Sequence, residues 1–90
     1  MKITLDISMY PLDADYKAPI KSFIRDLRSH AGLELVTNQM STQVRGEFAA
    51  VMGAVNACMQ RAMDESAKVM FVSKCLNGDL DIARAPDIDS

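Results

Sequence analysis

Apolar and polar residues alternate strictly from Ile3 to Tyr10, with Ile3, Leu5, Ile7 and Met9 on one side and Thr4, Asp6, Ser8 and Tyr10 on the other. This pattern predicts a half-buried strand. Pro11 ends it, and residues 12–17 read as a polar loop carrying Tyr16. Pro19 suits a first helical turn, and Ile20, Phe23, Ile24, Leu27 and Ala31 then recur at helical spacing. Gly32 is expected to close that helix in a left-handed conformation, with His30 beside it favouring the helix's negative end. Leu33 to Thr37 predicts a second strand, a turn falls near Asn38 to Met40, and Ser41 to Arg45 returns antiparallel. Phe48, Val51, Met52, Val55, Met59 and Ala62, continuing to Met63, draw an apolar stripe that predicts a helix over 49–64. Gly53 within it costs about 1 kcal/mol relative to alanine, and is expected to permit close packing on the sheet. Residues 68–74 predict a fourth strand. Periodicity stops after Asn77-Gly78, so 1–78 is expected to be the folded domain and 79–90 an irregular tail.

The order β-α-β-β-α-β with right-handed crossovers predicts an α+β, ferredoxin-like sandwich: a four-stranded antiparallel sheet with two helices on one face. The other face is then uncovered, and the first strand would present polar groups there. Val69, Met70, Phe71 and Val72, in contrast, are apolar on both sides of their strand. A second copy of the chain is the economical covering, giving a homodimer, with a tetramer of two dimers compatible with it. The alternative covering is the tail, through Leu80 and Ile82.

At 90 residues the chain is one domain, and a domain this short buries only about 60–65% of its unfolded surface, which favours self-association. The net charge is −2 with no block of Lys or Arg, so nucleic acid is excluded as a partner. No apolar run approaches the ~20 residues of a membrane-spanning helix, and Met1-Lys2 leads directly into a strand without a signal-peptide core. A cytoplasmic location without membrane insertion is the expectation. Cys58 and Cys75 lack CxxC or His-rich company, so reduced thiols and no metal are expected.

Between the second strand and the second helix lies Thr37-Asn38-Gln39-Met40-Ser41-Thr42-Gln43-Val44-Arg45-Gly46-Glu47, a run of donors and acceptors between two apolar segments. Asn38 and Gln43 each pair a donor with an acceptor, Ser41 and Thr42 do either job, and Met40 is a soft apolar filler. Such a set suits a flat, polar heteroaromatic ligand better than a phosphate or a metal. The competing account is that a hairpin and a helix start use the same residue types for turns and caps. For Glu47 that account is helix-start stabilisation, and for Tyr10 and Tyr16 it is loop packing.

The chain resembles the YkoF-type thiamin- and hydroxymethylpyrimidine-binding family, related to small ferredoxin-like thiamin-binding proteins. The resemblance rests on Ile7-Ser8-Met9-Tyr10-Pro11-Leu12, Tyr16 with Pro19-Ile20 and Phe23-Ile24, Thr37 to Gln43, Gly46-Glu47-Phe48 with Val51-Met52, and Phe71-Val72-Ser73-Lys74. It implies a non-enzymatic, cytoplasmic protein without a cofactor. Its ligand would be thiamin or the hydroxymethylpyrimidine moiety, and its role salvage or transport of the vitamin. YkoF itself is similar to a tandem of two such repeats, whereas this chain holds one, and a homodimer would supply the second. Set against that ligand, Asn38 or Gln43 could engage the aminopyrimidine edge and Ser41 or Thr42 a remaining nitrogen. Met40 or Tyr10 could cover the ring, and Asp6 or Glu47 could favour the thiazolium cation. Ser8 shares the polar face with Asp6 and completes the candidate set. Two further readings stand beside this one. A small dimeric cofactor-free enzyme would need a base near the pocket, and the single histidine, His30, lies at the far end of the first helix. A regulatory sensing module would be expected to carry a fused partner domain, and no such domain is present in the sequence.

Overall fold

The computed structural model describes residues 1–89. In chain order the elements are β1 (Lys2–Pro11), α1 (Lys17–Arg28), β2 (Glu34–Thr37), β3 (Thr42–Glu47), α2 (Phe48–Glu65) and β4 (Val69–Leu76). The strands form one antiparallel sheet in the order β2-β3-β1-β4, which is the ferredoxin-like arrangement the hydrophobic pattern predicts.

Alternation on β1 does what it promised. Ile3, Leu5, Ile7 and Met9 are buried and join Val44 of β3, Phe23 and Leu27 of α1, and Val51, Val55 and Cys58 of α2 in one core. Both helices therefore lie against this one face of the sheet. The Phe23 and Phe71 rings meet at 5.0 Å between centroids with a tilt of 50°, an edge-biased geometry that adds to simple burial.

Several local expectations need correction. Helix α1 ends at Arg28, three residues before the apolar stripe does, and Ser29 to Gly32 form the turn into β2. Gly32 does adopt a left-handed φ of 82°, but beyond the helix rather than at its cap. Gly53 faces open space, so close packing does not explain it. The glycine that does permit close approach is Gly46, where a Cβ would lie 3.1 Å from the Gly32 carbonyl oxygen and 3.2 Å from the Leu33 side chain. On α2 the buried stripe is Val51, Ala54, Val55, Cys58 and Ala62, while Phe48 and Met63 are exposed.

The tail after β4 does not cover the apolar strand. It crosses the opposite end of the open face, where the buried Thr4 hydroxyl donates to the Gly78 carbonyl (2.7 Å) and accepts from the Leu80 N–H (3.1 Å). Arg45 clasps Asp79 (2.6 Å) and Glu34 (3.2 Å) beside it. Each of these two acidic partners raises the guanidinium pKa, Asp79 most, and Arg45 in turn holds the Asp79 carboxyl below its ordinary value. Tyr10, Met70 and Val72 remain 48, 53 and 50% exposed at the other end. Among the described residues, no helix is long and apolar enough to cross a membrane.

Candidate functional site

Strand β1 is longer than its neighbour on one side. Its register with β3 stops at Ile7↔Thr42, whereas its register with β4 continues through Met9↔Phe71 and Pro11↔Val69. Beyond Ile7 the space that β3 would occupy is left open between the β2–β3 turn and the first turns of α1. A cavity of about 460 Å³ lies there, within the ~300–1,000 Å³ typical of small-molecule sites.

The cavity has two kinds of wall. Ile7 and Met9 of β1, with Ile20, Phe23 and Ile24 of α1, form an apolar wall continuous with the core. The rim is polar and aromatic, supplied by Ser8, Tyr10, Tyr16, Asn38 and Gln39 together with the Met40 side chain, which is 85% exposed. Thr37 and Thr42 face the cavity from the turn, their hydroxyls 3.1 Å apart.

The strand edge contributes main-chain groups as well. In an antiparallel ladder both the N–H and the C=O of one residue point to the same neighbour, and successive residues alternate. Leu12 N–H bonds the Lys68 carbonyl (3.0 Å) across β1–β4, and Phe48 N–H bonds the Met1 carbonyl (2.9 Å) across β1–β3. Even-numbered residues of β1 thus face β4 and odd-numbered ones face β3. Met9, the first odd-numbered residue beyond Ile7, turns its N–H and C=O towards the cavity with no strand opposite.

The turn that roofs the cavity is held by Asn38. Its Oδ1 accepts from the N–H groups of Met40 (2.9 Å) and Ser41 (3.0 Å), and its own N–H bonds the Ser41 carbonyl (3.0 Å). Asparagine favours this turn because its short side chain reaches the backbone two and three residues ahead. Ser41 is fixed from the open face, donating to Asp6 Oδ1 (2.7 Å) and accepting from Gln43 Nε2 (2.8 Å), which also donates to Asp6 Oδ1 (2.8 Å). Burial alone would raise the Asp6 carboxyl pKa, but the Ser41 and Gln43 hydrogen bonds and the nearby Lys74 charge outweigh it and hold it below the ordinary value. Ser8 Oγ donates to the Met40 carbonyl at 3.4 Å.

Of the nine residues singled out in the sequence, Ser8, Tyr10, Asn38, Met40, Ser41 and Thr42 line the cavity. Asp6 and Gln43 stand behind it as the support of Ser41. Glu47 is not brought to the site: it is the N-cap residue of α2, at the other end of β3, and its carboxylate pairs with the N-terminal amine (3.1 Å). Ile20, Phe23, Ile24 and the Met9 main chain were missed, because apolar residues at helical spacing read as core and a strand's unpaired edge carries no residue signature. Tyr16 and Pro19 were the available signal, since they mark where α1 starts and so where the wall stands.

A profile of the YKOF-related family matches residues 2–81. No curated protein matches. Among solved structures, a Streptococcus pneumoniae protein is 23% identical over 92% of this chain and 94% of its own, with a TM-score of 0.82. A hypothetical protein from Methanocaldococcus jannascii is 20% identical over 87% of this chain and 81% of its own, with a TM-score of 0.76. A Thermotoga maritima protein, described as a proposed thiamine biosynthesis/salvage protein, is 19% identical over 96% of this chain and 90% of its own, with a TM-score of 0.74. At these identities the three structures establish the shared fold.

Proposed function

The chain belongs to the YKOF-related family, and on that footing we propose that it binds the aminopyrimidine portion of thiamin, or free hydroxymethylpyrimidine, in the cavity beneath the β2–β3 turn. The Met9 main chain carries the reading. A strand edge offers a donor and an acceptor side by side, and a 4-aminopyrimidine offers an acceptor ring nitrogen beside a donor amino group. The ring nitrogen takes the Met9 N–H, and the amino group donates to the Met9 carbonyl. The ring then lies against Phe23 and Ile24, with Met40 and Tyr16 closing over it, as thioether and aromatic groups do on π-systems.

In this arrangement Asn38 and Gln43 act through the turn rather than on the ligand. The Asn38 carbonyl oxygen already accepts two backbone donors, and the Gln43 amide is committed to Asp6 and Ser41. The lining offers hydroxyls, amides and a thioether without a carboxylate, lysine or histidine among the described residues, which favours binding over acid–base turnover. The buried Cys58 thiol lies outside this cavity, and burial, then a hydrogen bond to Asp26, push its pKa up to about 12, so it is a poor nucleophile. The Thermotoga neighbour's description supports a place in vitamin salvage.

Calorimetric titration tests the reading. Thiamin and hydroxymethylpyrimidine are expected to bind, and an analogue with an oxo group in place of the 4-amino group should bind at least about fivefold more weakly, because a reversed partner leaves a buried main-chain group unsatisfied at ~1–3 kcal/mol. Met40→Ala should weaken binding and Glu47→Ala should not. Equal affinity for the amino and oxo compounds, or no binding of either vitamin form, overturns it.

A further inference from the structure

The α1–α2 interface holds a second constellation, none of whose members lines the candidate ligand cavity. Asp26 lies in the last turn of α1, His30 follows four residues later just beyond the helix, and Cys58 comes from the middle of α2. One ligand atom from each lies within 4.8 Å of the other two, and His30 Nδ1 stands 3.9 Å from Cys58 Sγ. Around a tetrahedral zinc ion with bonds of ~2.1 and ~2.3 Å, nitrogen and sulfur are about 3.6 Å apart, so closure asks for a shift of a few tenths of an ångström between these two atoms.

We propose that Asp26, His30 and Cys58 form a binding site for a divalent transition-metal ion of the zinc class, with a water as fourth ligand. The donor set of one thiolate, one imidazole and one carboxylate suits a borderline-soft ion and not magnesium or calcium. Access is built in. Cys58 is 1% exposed, yet a groove of about 340 Å³ between the helices opens onto Cys58, Asp26 and Arg61, wide enough for the ion and its water.

Without metal, His30 and Asp26 have other partners. His30 Nδ1 sits 3.0 Å from the Asp26 carbonyl, and the Asp26 carboxylate is paired with Arg61. Binding exchanges these contacts: the Cys58 thiol gives its proton to solvent as the metal–sulfur bond forms, the imidazole proton moves to Nε2 to free the Nδ1 lone pair, and Arg61 swings away from Asp26. Arg61 is therefore a competitor of the metal for Asp26.

The test uses the full chain carrying Cys75→Ser, so that the exposed Cys75 contributes no thiol. Titration with cobalt(II) is expected to give tetrahedral visible bands and a sulfur-to-cobalt charge-transfer band at one ion per chain, and zinc should displace the cobalt. Cys58→Ser should abolish the charge-transfer band. His30→Ala, a change at the helix end that spares the core, should weaken zinc binding by more than about 100-fold, the upper range for losing even an outer-shell partner. Arg61→Ala should tighten it severalfold by releasing Asp26. Cobalt binding without a sulfur band, zinc affinity unchanged in His30→Ala, or weaker binding in Arg61→Ala would each overturn the proposal.

Discussion

Removing the Asn38 side chain separates the two roles open to it, holding the turn and touching the ligand. In Asn38→Ala the N–H groups of Met40 and Ser41 lose their shared acceptor, at 2.9 and 3.0 Å. Each such bond contributes about 0.5–1.5 kcal/mol net, and since the loop is exposed and water can replace the lost acceptor, the lower half of the range applies, about 1–2 kcal/mol in all. For a domain of this size that lowers Tm by roughly 5–10 °C. Asn38→Asp keeps an acceptor in the same place; it removes the Nδ2 donor, whose single partner, Gln43 Oε1, is 3.5 Å away, and adds a negative charge in an exposed loop where solvent screens it. Its Tm should stay within about 2 °C of wild type, well below the shift that losing one good hydrogen bond produces. Scanning calorimetry gives both values, and titration with hydroxymethylpyrimidine gives affinity. Asn38→Ala should bind weakly because the roof of the cavity has loosened, whereas Asn38→Asp should bind nearly as wild type. A fully stable Asn38→Ala protein would refute the turn argument. A stable Asn38→Asp protein that has lost the ligand would place the amide, rather than the Met9 main chain, on the pyrimidine.

The two glycines should respond oppositely: Gly53→Ala stabilises by up to about 1 kcal/mol, because it meets open space on a helix, while Gly46→Ala destabilises by about 1–3 kcal/mol through overpacking against the Gly32 carbonyl, both readable in urea midpoints. Thr4→Val removes the hydroxyl that ties down Gly78 and Leu80, so limited proteolysis should cut the tail faster while the sheet core stays protected. The Asp6 carboxyl is held below its ordinary value of 3.8, so its stabilising contribution is fully present above that pH and is lost as pH falls through the lower folded-state value; Asp6→Asn should flatten the acid limb of the stability curve below pH 3.8, and an unchanged limb would remove Asp6 from the turn's support. Sedimentation should find a homodimer that covers Tyr10, Met70 and Val72, and Val72→Lys should dissociate it; a wild-type monomer at micromolar concentration would refute that interface.

How far the sequence reaches is visible element by element. Alternation from Ile3 to Met9, the helical recurrence from Ile20 to Leu27 and the stripe from Val51 to Ala62 were enough to predict the order of elements and the face each buries, because side-chain period follows directly from backbone geometry. The resemblance carried by residues 7–12 and 37–43 pointed to the family, and the polar turn from Asn38 to Thr42, legible in the sequence as a candidate site, lies along the cavity. Its internal division of labour was not. Asn38 and Gln43 look alike as amides in sequence, and only the fold shows one accepting backbone N–H groups and the other bracing Ser41 against Asp6. The Met9 main-chain edge is invisible to composition, since it exists only because β1 outruns β3 in their register. Glu47 was drawn into the candidate set by its nearness in sequence, but a strand rises about 3.3 Å per residue, so five residues along β3 place it at the opposite end of the sheet. The gathering of Asp26, His30 and Cys58 is equally a product of tertiary structure: 28 residues separate the histidine from the cysteine, and it is the packing of α1 on α2, dictated by their apolar faces, that sets those polar atoms side by side.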